Sequence, residues 1–129
     1  MVQTGDNSIV KGRFAPSPTG PLHFGSLVAA IGSYLHAKNA AGSWIIRIEN
    51  IDPPREVAGS IEQILTTLDA YQLCSDEAIS YQSNHLDRYL SVLQQLLAQG
   101  DAYCCKCNRK RIKAIGGIND GKCRTLGLP

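Results

Sequence analysis

Apolar and polar residues alternate through "IVKGRFA" (residues 9–15), the period of a short strand. "PSPTGP" follows, with three prolines and a glycine in six residues, and reads as a loop. From Phe24 to about Lys38 the period turns helical. Leu27, Ile31, Tyr34 and Leu35 share one face, and Ala29, Ala30 and Ala37 favour helix. "AAGS" ends that helix, with Gly42 as the terminator. "SWIIRIE" (43–49) predicts a second strand with Trp44, Ile46 and Ile48 on one side and Ile45 on the other, so that both faces are partly covered. After the break at "NIDPPRE", Ile61, Ile64, Leu65 and Leu68 predict a helix from about Val57 to Tyr71. A third helix starts near Asn84 as N-cap, carries Leu86, Tyr89, Leu90, Leu93, Leu96 and Leu97, and stops at Gly100. Strand, loop, helix, strand is the order of a βαβ unit with a parallel sheet, hence an α/β fold. Two or three strands make a poor sheet, and "TLGLP" closes no element, so the chain reads as part of a domain.

Composition changes this picture little. The 129 residues, 43% hydrophobic and 19% charged, suit an ordinary globular protein. "MVQTGDNSIV" has neither a basic head nor an apolar stretch, and no run approaches the roughly 18 apolar residues of a membrane span. The expectation is a cytoplasmic protein with no membrane partner, acting as a monomer. Charge is more informative. Residues 1–100 carry six basic and nine acidic side chains, net −3, whereas residues 101–129 carry seven and two, net +5. Such a basic tail can follow a phosphate backbone, although an ordinary solvated surface gives the same charge. Four of the five cysteines lie in "CCKCNRKRIKAIGGINDGKC" (104–123). In a reducing compartment clustered cysteines point to metal rather than disulfides. Cys105-x-Cys107, then fifteen residues, then Cys123 places three thiolates on two arms, which suits tetrahedral Zn²⁺. Free reduced cysteines are the competing reading. Cys74, beside Leu73, reads as a small core residue.

The junction "RFAPSPTGPLHFGS" carries the other candidate chemistry. A strand–loop–helix junction aims free N–H groups and the positive end of the helix dipole into a crevice, which is where α/β sheets bind phosphates. His23 stands just before the helix and can donate to a phosphate oxygen, and Gly25 leaves space for a flat ligand. Taken singly, each of these is more often an incidental surface feature.

The order of the residues adds to that reading. "GRFAPSPTGPLHFGS" resembles the opening motif of the glutamyl-tRNA synthetases, and "HFGS" (23–26) resembles their form of the class I HIGH signature. "RIENID" (47–52) resembles the family's R-x-E-D-x-D segment, with Asn50 where an Asp is usual. "IDPPRE" and the spacing C-x-C-x-R-x-R-I-x-x-IGG-I-x-DG-x-CR are similar to the branch that lacks an anticodon domain, the glutamyl-queuosine tRNA(Asp) synthetases. The resemblance runs over roughly residues 11–124.

This resemblance implies the first half of a class I Rossmann-like nucleotide-binding domain (1–103) bearing a zinc-binding insertion (104–129). It implies activation of glutamate by ATP, with Mg²⁺, to glutamyl-adenylate, and transfer to queuosine in the tRNA(Asp) anticodon. By the same resemblance Arg13, Phe14, Ala15, Pro16 and Ser17 would line the glutamate site, and Glu49 would take the α-ammonium. Arg13 and Glu49 together would supply both signs that a zwitterionic acid needs, while a structural ion pair is the plainer explanation of such charges. His23, Phe24, Gly25 and Ser26 would form the nucleotide side. In the relatives a Tyr is the fourth zinc ligand, and Asn119 stands at that position. Either Cys104 swings in as a fourth sulfur, or Asn119 or water completes a looser structural site. Lys106, Arg109, Lys110, Arg111 and Lys113 would then face RNA phosphates. No K-x-S-K-like loop is present, so this chain alone is expected to form little or no adenylate. Two other readings stay open: the catalytic front of an ordinary glutamyl-tRNA synthetase, and a zinc-stabilised RNA-binding module without catalysis.

Overall fold

The computed structural model describes residues 10–128. Ile9 of the expected first strand and the opening residues read for a targeting segment lie outside the described residues, as does Pro129. The chain forms two compact units, Met1–His85 and Leu86–Pro129.

The first unit runs β1 (Lys11–Phe14), α1 (Phe24–Asn39), β2 (Ser43–Ile48), α2 (Ser60–Ala70) and β3 (Ser80–Tyr81), with 3-10 turns at Pro53–Arg55 and Gln82–His85. The sheet order is β1-β2-β3 and both pairings are parallel, with Arg13 opposite Ile45 and Ile48 opposite Tyr81. These are two successive βαβ crossovers, one more than the sequence pattern predicts. β3 has two residues, too few for a period to register. β2 buries Trp44, Ile46 and Ile48, while Ile45 on its other face is half-exposed. Phe14 stacks on Trp44 at 6.4 Å and Tyr34 meets it edge-on at 5.3 Å.

α1 buries a different face from the one its large residues mark. Ala30 and Ala37 are fully buried, whereas Leu35 is 58% exposed. The reason is close approach. A Cβ at Gly12 would stand 2.9 Å from Ala37 Cβ and 3.0 Å from the Ser33 carbonyl, so the helix backbone rests almost on the strand and admits only small side chains between them. Cys74 corrects another expectation: it is exposed, and Leu73 beside it fills the core. α2 starts at Ser60 rather than near Val57 because Gly59 turns left-handed (φ 77°) just before it.

Both helices of this unit end in the same hydrogen-bonded motif. After α1 the Gly42 N–H reaches the Ala37 carbonyl (2.8 Å) and the Ala41 N–H reaches Lys38 (3.0 Å). After α2 the Leu73 N–H reaches Leu68 (2.9 Å) and the Gln72 N–H reaches Asp69 (2.8 Å). These are Schellman caps whose left-handed positions are held by Ala41 (φ 50°) and Gln72 (φ 57°) instead of glycine. The expected terminator, Gly42, is thus one residue past the left-handed one. Ala41→Gly and Gln72→Gly should each raise stability by about 1 kcal/mol, because the Cβ strain disappears. Urea midpoints check this, and a loss of stability in both would contradict it.

The loop between α2 and β3 is tied to β2 by side chains acting as a strand edge. The Asp76 carboxylate accepts from the Trp44 N–H (2.6 Å) and from Lys38 Nζ (2.5 and 2.6 Å), and Ser75 Oγ accepts from the Ile46 N–H (3.2 Å). The Lys38 ammonium and then the Trp44 amide hold the Asp76 carboxyl below the usual carboxylate range.

The second unit contains α3 (Leu86–Gln99), α4 (Arg109–Ala114) and a 3-10 turn at Lys122–Thr125. Asn84 lies inside the preceding 3-10 turn rather than at a helix cap. α3 and α4 end in Schellman caps with glycine in place, Gly100 (φ 78°) and Gly116 (φ 92°). Among the described residues of this unit, Cys123 is the one buried side chain.

Candidate functional site

The β1–α1 loop has a defined shape. Its Pro16 carbonyl accepts from the Glu49 N–H (3.0 Å) and its Pro18 carbonyl from Val57 (2.9 Å). Fully buried Ser60 clasps Gly20 from both sides, accepting from its N–H (3.1 Å) and donating to its carbonyl (2.8 Å). The prolines and these ties remove most of the freedom of a segment that would otherwise be mobile.

A cleft of about 420 Å³ opens on this loop. Of the residues singled out from sequence, Phe14, Ala15, Pro16, Ser17, His23, Gly25 and Ser26 line it. Arg13, Phe24 and Glu49 do not. Thr19, Gly20 and Leu22 of the loop and Ala29 of α1 also line it, and as small or apolar residues they carried no site signal in the sequence. His23 is the N-cap of α1: its Nδ1 accepts from the Ser26 N–H at 3.2 Å. A ring accepting at Nδ1 carries its proton on Nε2, which faces Ser26 Oγ at 3.2 Å. The donor end of the imidazole is therefore available to an oxygen that displaces the hydroxyl. Gly25 serves this arrangement, since a Cβ there would sit 3.1–3.2 Å from the His23 ring.

Glu49 is engaged by a residue the sequence reading passed over. Arg47 Nε and Nη2 both donate to Glu49 Oε1, at 2.6 and 2.5 Å. Arg13 makes no ion pair among the described residues and is exposed. Asn50, the departure from the family's Asp, uses both ends of its amide: Nδ2 donates to Ser83 Oγ (2.9 Å) and Oδ1 accepts from the Ser83 N–H (3.1 Å).

In the second unit the sulfurs of Cys105, Cys107 and Cys123 lie within 4.8 Å of one another, with Cys107 and Cys123 at 3.5 Å. Such spacing and an all-thiolate donor set fit a tetrahedral Zn²⁺ ion bonded to three sulfurs. Cys104 is outside this group and lines a separate cleft with Tyr103 and Arg124. Asn119 Oδ1 accepts from the Gly121 N–H (2.9 Å), and its Nδ2 faces Cys105 Sγ (3.4 Å). Arg111 is likewise committed, to Cys107 Sγ (3.1 Å) and Asp120 (2.7 Å).

The Cys105 and Cys107 thiols differ in their surroundings. Hydrogen bonds from the Cys107 backbone N–H, then Asn119, lower the Cys105 thiol to about 7. Its bond to Cys123 raises Cys107 to about 11.

The sheet topology and the loop–helix cleft define a class, and the comparisons agree. Residues 9–123 match the family model described as tRNA synthetases class I (E and Q), catalytic domain, and the chain belongs to that family. More particularly, several curated relatives of the chain are named glutamyl-Q tRNA(Asp) synthetase. The chain is 60% identical over 118 residues to the one from Shewanella oneidensis, covering 92% of this chain and 40% of that protein. It is 57% identical to that of Shewanella amazonensis (90% and 40%) and 55% identical to that of Serratia proteamaculans (91% and 39%). The chain thus spans about 40% of the length of these relatives. Among solved structures, a glutamate tRNA ligase from Elizabethkingia meningosepticum in complex with its amino acid aligns with TM-score 0.75 at 32% identity, over 93% of this chain and 28% of the other. The glutamate-tRNA synthetase of Elizabethkingia anophelis aligns with TM-score 0.74 at 32% identity, over 94% and 29%. No helix among the described residues is long and apolar enough to cross a membrane.

Proposed function

We propose that this chain supplies the front of an enzyme that activates glutamate with ATP and Mg²⁺ and transfers the glutamyl group to queuosine in tRNA(Asp). The observation carrying this reading is the cleft at the β1–α1 junction, where seven of the residues singled out from sequence meet around the cap of α1. In this reading His23 Nε2–H donates to ATP phosphate oxygens as charge develops, and Phe24, Gly25 and Ser26 flank the nucleotide. Phe14 to Ser17 wall the amino-acid side, Arg13 takes a substrate carboxylate, and Glu49 takes the ammonium with the oxygen that Arg47 leaves free. Rate enhancement comes from positioning and charge stabilisation.

The segment 104–129 is proposed as a zinc-held insertion with Cys105, Cys107 and Cys123 as ligands. Lys106, Arg109, Lys110 and Lys113, all exposed, would meet RNA phosphates, and Arg111 would not. The queuosine branch is favoured over ordinary glutamyl-tRNA synthetases by identity, 51–60% against the 32% of the glutamate tRNA ligase structures.

The test is glutamate-dependent ATP–pyrophosphate exchange by the gene product carrying these residues, followed by transfer of labelled glutamate to tRNA(Asp) with and without queuosine. Exchange should fall at least 10²-fold in His23→Ala, in the range of a lost transition-state donor. Equal labelling of the two tRNAs would reject the queuosine reading. The 129-residue chain alone should show little or no exchange.

A further inference from the structure

The three-sulfur cluster raises a question its ligand count does not answer. Three thiolates bring three negative charges together in a unit with little apolar cover, and a tetrahedral ion asks for a fourth ligand. Asn119 and Cys104 are the two protein groups the sequence offered for it. The Asn119 oxygen already accepts from the Gly121 N–H, and that bond fixes which end of the amide is which: the NH₂ end faces Cys105 Sγ. Cys104 lies outside the sulfur cluster. Two N–H donors, by contrast, point at sulfurs. Arg111 Nη1 reaches Cys107 Sγ at 3.1 Å, and its Nη2 is anchored on Asp120 at 2.7 Å, while Asp120 Oδ1 accepts from the Lys122 N–H (3.2 Å), one residue before Cys123. Arg111 sits on α4, whose N-cap Asn108 follows Cys107 directly, so the short helix aims the guanidinium back at the first arm.

We infer that Arg111 and Asn119 are positioning residues that complete the sulfurs of a three-thiolate metal site and leave its fourth coordination position to an exogenous ligand, solvent or a small neutral donor such as an imidazole. The inference rests on the metal reading above. The Arg111 cation offsets the net negative charge of an ion bound by three thiolates, and its planar fork spans sulfur and carboxylate at once, which the single ammonium of lysine cannot do. Asp120 holds that fork and ties the second arm to the first.

Cobalt(II) titration of the full chain tests this, read by absorption. Wild type should bind one equivalent with sulfur-to-metal charge-transfer bands, and added imidazole should shift the ligand-field bands by entering the open position. Cys104→Ala and Asn119→Ala should keep that sensitivity. A wild-type spectrum indifferent to imidazole, becoming sensitive in either variant, would identify that residue as the fourth ligand and overturn the inference. Arg111→Ala should weaken cobalt binding 10–100-fold, the range for lost outer partners of a metal ligand. It should also move the charge-transfer band to lower energy, since a thiolate without its N–H bond gives up electrons more easily. Arg111→Lys should recover part of the affinity. An unchanged band energy and affinity in Arg111→Ala would overturn the positioning role. Absence of any cobalt binding by wild type would instead overturn the metal reading itself, and this inference with it.

Discussion

Gly42→Ala should destabilise the first unit by roughly 3 kcal/mol, the upper range for overpacking, and lower its Tm by more than about 10 °C. A Cβ at Gly42 would stand 2.0 Å from the Val10 carbonyl oxygen and 2.9 Å from its carbon. That carbonyl is backbone, so no side-chain rotation relieves the clash. It also accepts from the Ser43 N–H at 3.0 Å, the bond that starts the β1–β2 ladder. Moving Val10 aside therefore breaks the pairing on which the cleft depends. Gly32→Ala supplies the opposite sign. Gly32 lies inside α1, and a Cβ there meets nothing within 4 Å. That variant should gain roughly 0.5–1 kcal/mol from helix propensity alone. Urea unfolding of both variants, followed by Trp44 fluorescence, decides the matter, and a stable Gly42→Ala protein would refute the close approach.

The second large effect is expected on removing the zinc proposed for the cysteine cluster. Chelation, or Cys123→Ser, should unfold much of the Leu86–Pro129 unit while leaving Met1–His85 folded. Cys123 is the one buried side chain among the described residues of that unit, so the hydrophobic effect offers it little. α4 has six residues, too short to persist alone in water. Metal binding is then folding free energy, which reaches about 10–16 kcal/mol in zinc-finger peptides. The chain has a single tryptophan, Trp44, buried in the first unit. Its fluorescence should stay constant during chelation while the amides of α4 lose protection from hydrogen exchange. Protected α4 amides in metal-free protein would count against a zinc-held unit.

Local order was legible where backbone preference and period agree. The Pro-rich loop, the helix beginning at Phe24, the strand at Ser43 and the stop at Gly100 all follow from single-residue conformational limits. The C-terminal caps of α1 and α2 were less so, because Ala41 and Gln72 adopt left-handed backbone that their side chains disfavour, and only surrounding hydrogen bonds hold them there. The buried face of α1 was misread for a related reason: periodicity ranks residues by size, whereas Gly12 brings the helix so close that alanine is the right size.

The sites divide in the same way. The identities and spacing of Cys105, Cys107, Cys123, His23 and Gly25 are properties of the sequence, and they were enough to nominate a metal site and a nucleotide cleft. The partners of those groups are not. That Arg47 takes one oxygen of Glu49, that His23 caps its own helix through Nδ1, and that Arg111 and Asn119 turn their N–H groups to sulfur are facts of direction. By itself the sequence determined which chemistry is present along the chain. Tertiary structure alone decided which end of each side chain faces which neighbour, because hydrogen bonds and charges act through distance and angle, and these exist only once the chain has closed.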